Sequence, residues 1–178
     1  MSKIDIKLLP PTAMVDTGVF MRGVLAHRPD DPESPLCKAF CDAMIDAGRQ
    51  LFVSAPTIAE ITRHQGQRVP RVQGISVVPF DERAAEFLGL HLPMTKLHEA
   101  KDATGVSMPY FKYDSMILAC ALRSRAPVIV TLDGGHHTLA KATTLKVEHP
   151  KSYELTMSQI TMEHLWKPVA QQAKPTSE

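Results

Sequence analysis

The segment Val128-Ile-Val-Thr-Leu-Asp133 sets the architecture of this chain. Its first five residues carry no charge, and three of them are β-branched aliphatic residues. Such a run is typical of a strand that is buried on both faces, as the strands of a parallel sheet are. The segment therefore predicts a buried strand over residues 128–132 that ends on an acidic residue.

The same strand pattern recurs along the chain and alternates with helices. Four further short strands are predicted at residues 13–15, 51–53, 75–79 and 145–148. Apolar residues at helical spacing predict helices at residues 37–48, 56–63, 82–90 and 114–124. Residues 91–112 contain Pro93, Gly105 and Pro109, and we expect a short helix and loops there. The alternation predicts an α/β fold, a three-layer α/β/α sandwich with a central, mainly parallel sheet of about five strands.

The remaining parts of the chain are assigned by composition. Residues 1–12 are predicted to form an N-terminal arm, residues 13–153 the α/β domain, residues 154–166 a C-terminal helix and residues 167–178 a flexible tail. The tail has two prolines and few apolar residues, a composition that favours fraying. A chain of 178 residues is long enough for one domain with its own core.

The composition is that of a soluble globular protein and gives no bulk charge that would point to nucleic acid or membrane. Twenty basic and 19 acidic residues leave a formal net charge of +1, although a local basic patch is compatible with that total. No apolar run reaches the roughly 18 residues of a membrane span, so no membrane partner is expected. The three cysteines form no CxxC pattern, and we expect reduced thiols in a cytoplasmic protein. Cys37 and Cys41 are one helical turn apart, as a ligand pair would be, but they lie on an apolar stripe and are expected in the core.

Four acidic residues from distant segments are predicted to meet at one edge of the sheet. Asp16 and Asp133 each follow a strand at its carboxyl end. Asp114 is placed at the start of the helix that leads into the strand before Asp133, and such a helix begins at the carboxyl edge. Glu60 lies one turn, about 5.4 Å, into the helix that leaves its own strand. Because ligands of open parallel sheets bind beyond the carboxyl ends of the strands, this edge is the candidate site.

Clustered carboxylates repel one another, and a fold keeps them only where a proton or a cation offsets their charge. Two unit charges about 4 Å apart interact with roughly 4 kcal/mol at an effective dielectric near 20. Oxygen ligands favour Mg²⁺ or Mn²⁺. Such an ion lowers the pKa of a bound water and offsets charge that develops on a phosphate. The cluster therefore predicts metal-dependent hydrolysis of a phosphodiester.

The residues around these acids resemble the four motifs of PIN domains, and most closely those of the VapC-type ribonuclease toxins. The matching segments are Val15-Asp16-Thr17, residues 54–61, residues 113–119 and the segment that ends at Asp133. The resemblance extends over about residues 13–153. Each motif alone is short, and the specificity lies in the order, the spacing and the strand or helix context of all four.

The resemblance implies a parallel sheet flanked by helices and cleavage of single-stranded RNA with Mg²⁺ or Mn²⁺. It implies that Asp16, Asp114 and Asp133 are metal ligands, directly or through water. Glu60 is then a ligand or the residue that orients the attacking water. The four acids are thus the implied catalytic residues of a metal-dependent endoribonuclease.

The resemblance also implies supporting residues and partners. Thr17 and Thr131 match polar positions that line the site. An antitoxin protein whose tail enters the groove and a second copy of the chain in a homodimer are implied as partners, beside single-stranded or structured RNA. Among the basic residues near the motifs, Arg63, Arg68 and Lys112 are candidates for RNA binding, with a solvated basic face as the alternative.

The sequence departs from the family after the fourth acid. Members often carry a further acid and a Phe there, whereas this chain reads Gly134-Gly-His-His137. Whether one or two metals bind is therefore left open. Adjacent histidines in a Gly-rich turn are expected to be exposed, with metal or phosphate binding as the alternative.

Other interpretations remain open at this level. Asp16 alone is compatible with a turn, and Asp114 alone with a helix N-cap. A degenerate PIN domain that binds RNA or protein without cleavage is the second functional hypothesis. A different α/β hydrolase or nucleotide-binding module is the third, and it is disfavoured because the sequence lacks a phosphate-binding glycine loop and a GxSxG motif.

Overall fold

Five short strands form one sheet in the computed structural model, which describes residues 3–25, 30–105 and 108–155. The strands are β1 (Thr12–Val15), β2 (Gln50–Ser54), β3 (Ile75–Val78), β4 (Val128–Val130) and β5 (Lys146–Glu148). Their order across the sheet is β3-β2-β1-β4-β5, and every neighbouring pair is parallel. All five predicted strands are confirmed, and the sheet is wholly parallel.

Seven helices of the described residues surround the sheet. They are α1 (Thr17–Phe20), α2 (Ser34–Asp46), α3 (Ala55–Gln65), α4 (Glu82–His91), α5 (Met94–Thr104), α6 (Met108–Ser124) and α7 (Gly135–Ala140). A π-helical turn, Met21–Leu25, follows α1, and a 3-10 turn, Pro150–Tyr153, follows β5. Polar side chains cap helices α3 and α4 among others, since Ser54 accepts the Thr57 N–H at 3.1 Å and Asp81 accepts the Ala84 N–H at 3.1 Å.

Two separate hydrophobic clusters cover the two faces of the sheet and make the domain three-layered. Side chains alternate along a strand, so Ala13 and Val15 of β1 pack with Phe40 of α2 on one face. Met14 lies between them in sequence and packs with Ile117 of α6 on the other face. The predicted α/β/α sandwich is therefore confirmed.

The segment of residues 91–112 differs in part from its prediction. A short helix is present as α5, but the next helix begins at Met108 and not at Asp114. The predicted start at Asp114 is wrong because Pro109 is the second residue of α6, a position where proline is tolerated. Asp114 therefore lies about 9 Å along the helix axis from Met108.

The two ends of the described chain lie together. Ile4 pairs with Glu154 in an isolated antiparallel bridge, and Leu9 is buried in the core. The arm predicted at residues 1–12 thus contributes to the packing where it is described. The predicted C-terminal helix lies outside the described residues beyond Leu155, as does the whole of the predicted tail. Among the described residues, no helix is both long and apolar enough to cross a membrane.

Candidate active site

The site lies where the strand order reverses, between the neighbouring strands β1 and β4. From β1 the chain first adds β2 and β3 on one side and then crosses over to β4 on the other. The connecting loops therefore leave in opposite directions and open a crevice at the carboxyl ends of these two strands. Val15 is in register with Val130, so the residues that follow them, Asp16 and Thr131, meet at this crevice.

Asp16 is held rigidly at the bottom of the site. It is 4% exposed, and its Oδ1 accepts the Val19 N–H at 2.7 Å, which caps α1. Its Oδ2 accepts a hydrogen bond from the hydroxyl of Thr131. Burial raises the pKa of this carboxyl above its ordinary value, against the lowering effect of His136 and the hydrogen bonds. A buried carboxylate with both oxygens engaged has a fixed orientation.

Thr131 ties two of the predicted acids together. Its hydroxyl donates to Asp16 and accepts the Asp133 N–H at 2.8 Å. The side chain is 2% exposed, so neither bond has a ready substitute in water. The predicted supporting position therefore links the backbone of Asp133 to the side chain of Asp16.

Replacing Thr131 with valine is expected to lower the free energy of unfolding by about 1–3 kcal/mol, because a buried acceptor and an N–H lose their partner. Any activity that depends on Asp16 is expected to fall by about 10–100-fold, as is usual when a residue that positions a ligand is lost. Thermal unfolding and initial rates of the purified variants measure both effects. Thr131→Ser keeps the hydroxyl and is the matched control, and equal losses in both variants would contradict this role.

Glu60 reaches the same crevice from α3. Its Oε2 accepts the hydroxyl of Thr17 at 2.6 Å, and Thr17 also lies 3.4 Å from the hydroxyl of Thr57. Thr17 follows Asp16 directly in the chain. The hydrogen bond from Thr17 therefore holds Glu60 near Asp16, the residue that caps α1. The predicted pair of Thr17 and Glu60 is brought together by the fold.

The third group of the site consists of Asp114, Asp133 and His136. One ligand atom of each lies within 4.8 Å of the others, and His136 Nε2 is 3.8 Å from Asp114 Oδ1. The side chains of His136 and Asp114 are 2% and 16% exposed, whereas Asp133 is exposed. Asp133 Oδ1 accepts the Gly135 N–H at 2.8 Å.

The other three acids lie within electrostatic range of Asp114. Burial raises the pKa of its carboxyl to about 6, His136 opposes that rise, and the charges of Asp133, Asp16 and Glu60 add to it. A carboxyl responds in this way only to charges that lie near it. Hydrogen bonds through Thr131 and Thr17 place Asp16 and Glu60 at the same crevice. Among the described residues, the group whose ligand atoms lie within 4.8 Å of one another consists of Asp114, Asp133 and His136, and the predicted ligand Asp16 lies outside it.

The donors at this site fit a divalent cation. Both ring nitrogens of buried His136 lack a hydrogen-bond partner among the described residues, and a metal ion is one group that satisfies such a nitrogen. A Cβ added to Gly135 would lie 3.4 Å from Asp133 Oδ1 and 3.5 Å from Asp114 Oδ2. The absence of a side chain at Gly135 thus leaves space beside both carboxylates.

The predicted RNA-binding residues occupy different places. Arg63 is exposed on α3, and its guanidinium lies 3.4 Å from the hydroxyl of Tyr113 on α6, next to Asp114. Arg68 is exposed in the loop that follows α3. Lys112 lines a groove between α4, α5 and α6, with Leu88 among its neighbours. Of the three, Arg63 contacts a residue that adjoins the acidic site.

His136 is the residue that the sequence interpretation placed wrongly. The two histidines were expected to be exposed, and His137 is, but His136 is buried against the acids. The signal lay in α7, where Leu139 and Ala140 stand three and four residues after His136 and are also buried. Residues at this spacing share one face of a helix, so His136 belongs to the inner face of α7.

The fold and the site together define a PIN-like α/β/α domain with its acidic residues at the switch point of a parallel sheet. Solved structures share this fold. A chain of VapBC2 from Rickettsia felis, bound to a fragment of promoter DNA, matches 78% of this chain and 98% of its own length with a TM-score of 0.52 and 12% identity. A chain of FitAB bound to the IR36 DNA fragment matches 81% and 97%, with a TM-score of 0.52 and 20% identity.

These similarities extend over most of the chain and confirm the predicted resemblance in fold. At identities of 12% and 20%, they establish the fold alone. No protein-family model matches the sequence, and no curated protein matches it significantly. The function is therefore argued from the residues of the site.

Proposed function

We propose that this protein is a metal-dependent endoribonuclease that hydrolyses phosphodiester bonds in single-stranded RNA. The observation that carries the proposal is the convergence of Asp16, Glu60, Asp114 and Asp133 from four segments onto one crevice. Burial, and after it the charges of the other three acids, raise the pKa of Asp114 and so disfavour its ionised form in the metal-free protein. A fold that retains this cost without a function for it is unusual, and active sites are where such groups collect.

The proposed roles follow from how each side chain is held. Asp114 and Asp133 would hold Mg²⁺ or Mn²⁺ together with Asp16, directly or through water. When bound, the ion would supply an activated water and charge stabilisation at the phosphate. Glu60 accepts a hydrogen bond from Thr17, which leaves its other oxygen to orient a water for attack on phosphorus. Arg63 would contact the RNA backbone at the exposed end of the crevice.

We further propose that the protein is the toxin of a type II toxin–antitoxin pair and works as a homodimer. Support comes from the fold, because solved structures that share it include those of VapBC2 and of FitAB, each with DNA. An antitoxin would then be the partner that blocks the crevice. Co-expression with a small neighbouring reading frame and gel filtration of the purified proteins would test the partner and the dimer separately.

The nuclease proposal is tested by incubating the partner-free protein with mixed single-stranded RNA. Reactions contain Mn²⁺, Mg²⁺ or EDTA, and the Asp114→Asn variant is run beside the wild type. We expect cleavage with a metal, none with EDTA, and loss of cleavage in the variant. RNA binding without cleavage under any metal would instead support the degenerate binding module, for which the missing acid after Asp133 is the supporting observation. If the protein neither cleaves nor binds RNA, both the nuclease and the binding-module hypotheses are overturned.

A further inference from the structure

Besides its four acids, this site contains a buried imidazole whose role the acids do not explain. His136 is 2% exposed, and neither of its ring nitrogens has a hydrogen-bond partner within residues 3–25, 30–105 and 108–155. Buried polar atoms are nearly always satisfied, and each exception needs a physical explanation. A metal ion is a partner that would satisfy one nitrogen of an imidazole buried beside carboxylates.

The position of the imidazole agrees with ligation of one ion shared with the acids. Metal–ligand bonds of about 2.1 Å place two ligand atoms of one octahedral ion about 3.0 Å apart when adjacent and about 4.2 Å apart when opposite. His136 Nε2 lies 3.8 Å from Asp114 Oδ1, within that range. One ligand atom of Asp133 lies within 4.8 Å of the other two, and any separation above about 4.2 Å would have to close as the three groups bind one ion.

The backbone explains why the imidazole has this orientation. Gly134 and Gly135 lead directly from Asp133 into α7, and the Gly135 N–H is bonded to Asp133 Oδ1 at 2.8 Å. This bond begins α7 at the site. α7 packs on α6, the helix that carries Asp114. His136 lies in the first turn of α7 on the side that faces α6, so its imidazole lies toward the Asp114 carboxylate.

We infer that His136 is a nitrogen ligand of the metal centre, together with Asp114 and Asp133, and that it makes the centre selective for first-row transition metals over Mg²⁺. The inference rests on the proposed function, because it concerns the same metal centre. Carboxylate and water ligands suit Mg²⁺ and Mn²⁺ alike, whereas imidazole favours transition metals and is a poor ligand for Mg²⁺. His136 occupies a part of the chain where an acid would have given an all-oxygen site.

The test uses Mn²⁺ as the probe and reads its ligands directly. Electron spin echo spectroscopy of Mn²⁺ bound to the full-length wild-type protein is expected to show modulation from a coordinated ¹⁴N nucleus. Labelling the histidines with ¹⁵N should replace that pattern by the ¹⁵N pattern. This experiment needs no variant, so it stays decisive even where a substitution at this buried position prevents folding.

Variants then assign the nitrogen to one histidine. His136→Gln keeps a similar volume, and we expect it to lose the modulation and at least about tenfold in Mn²⁺ affinity. Mg²⁺ affinity, measured by competition, should change less than about threefold, because imidazole is a poor ligand for Mg²⁺. His137→Ala is the matched control because the neighbouring His137 is exposed, and it should retain both the modulation and the affinity.

The outcomes separate this inference from the function on which it rests. Mn²⁺ binding and RNA cleavage without nitrogen modulation, or equal Mn²⁺ affinities of His136→Gln and the wild type, overturn the inference and leave the nuclease intact. Failure of the wild-type protein to bind Mn²⁺ or to cleave RNA with any metal overturns the proposed function and the inference with it. Loss of the nitrogen modulation in His137→Ala would show that His137 is the ligand, and this result also overturns the inference.

Discussion

Asp16→Asn is expected to lower the rate of RNA cleavage by at least about a hundredfold to a thousandfold, the loss typical of removing one group that stabilises charge in a transition state. Asp16 is the most buried of the four acids and the one whose orientation is most completely set. Its two oxygens accept from Val19 and Thr131. The amide removes the charge at the centre of the site while it occupies nearly the same space.

The fold should survive this substitution. The amide oxygen still accepts the Val19 N–H, and the amide nitrogen can donate to Thr131, whose hydroxyl oxygen has two lone pairs. Circular dichroism and thermal unfolding measure folding, and initial rates with saturating Mn²⁺ measure activity. Asp46→Asn is the matched control, because Asp46 is exposed at the end of α2. Full activity of the Asp16 variant would remove Asp16 from the site.

Asp114→Asn is expected to make the metal-free protein more stable at neutral pH. The folded protein raises the pKa of this carboxyl from 3.8 to about 6, so the folded state binds the proton more tightly than the unfolded chain does. The free energy of unfolding of the wild type therefore falls as the pH rises from about 4 to above 6. The shift corresponds to about 3 kcal/mol. Because a buried amide also loses hydration, we expect a net gain of about 1–2 kcal/mol in the variant.

The sign of this effect gives it a distinctive pH profile. Chemical denaturation in EDTA should show the largest difference between variant and wild type at pH 7, and the difference should shrink toward pH 4, where both forms carry no charge at this position. Added Mn²⁺ should reverse the order. A ligand at about one hundred times its Kd stabilises the folded state by about 2.7 kcal/mol, and the variant should lose most of that gain.

A variant that is less stable than the wild type at pH 7 in EDTA would contradict repulsion at Asp114. A difference in stability between variant and wild type that does not change with pH would also contradict it, because such a difference would arise from packing and not from charge. Asp46→Asn again serves as the control, and its stability should follow that of the wild type at every pH.

Much of the site was accessible from local sequence patterns. Asp16 and Asp133 were placed correctly because each follows an apolar strand, and parallel strands bring their carboxyl ends to one edge by geometry alone. The same holds for Glu60, since Ser54 and Pro56 mark the first turn of α3 and so fix the distance of Glu60 from its strand. Thr131 was predicted from the resemblance, as the hydroxyl residue two positions before Asp133.

Other features depended on contacts that no local pattern specifies. The start of α6 at Met108 was missed because Pro109 is tolerated in a first turn, and a proline read alone looks like a break. Lys112 was grouped with the RNA-binding residues by its nearness in sequence to Asp114. Two residues apart on a helix means opposite sides, and Lys112 lines the groove toward α4 and α5.

The order of apolar and polar residues was enough to specify the parallel sheet, its carboxyl edge and three of the acids, because strand periodicity and strand direction are local properties. The burial of His136 could not be predicted in this way, because α7 has only six residues, begins at Gly135 and has no strong hydrophobic pattern of its own. Its inner face exists only where α7 packs on α6, and that contact joins residues far apart in the chain. The positions of the carboxylates could therefore be predicted from the sequence. The position of the nitrogen ligand is determined only by the packing of α7 on α6.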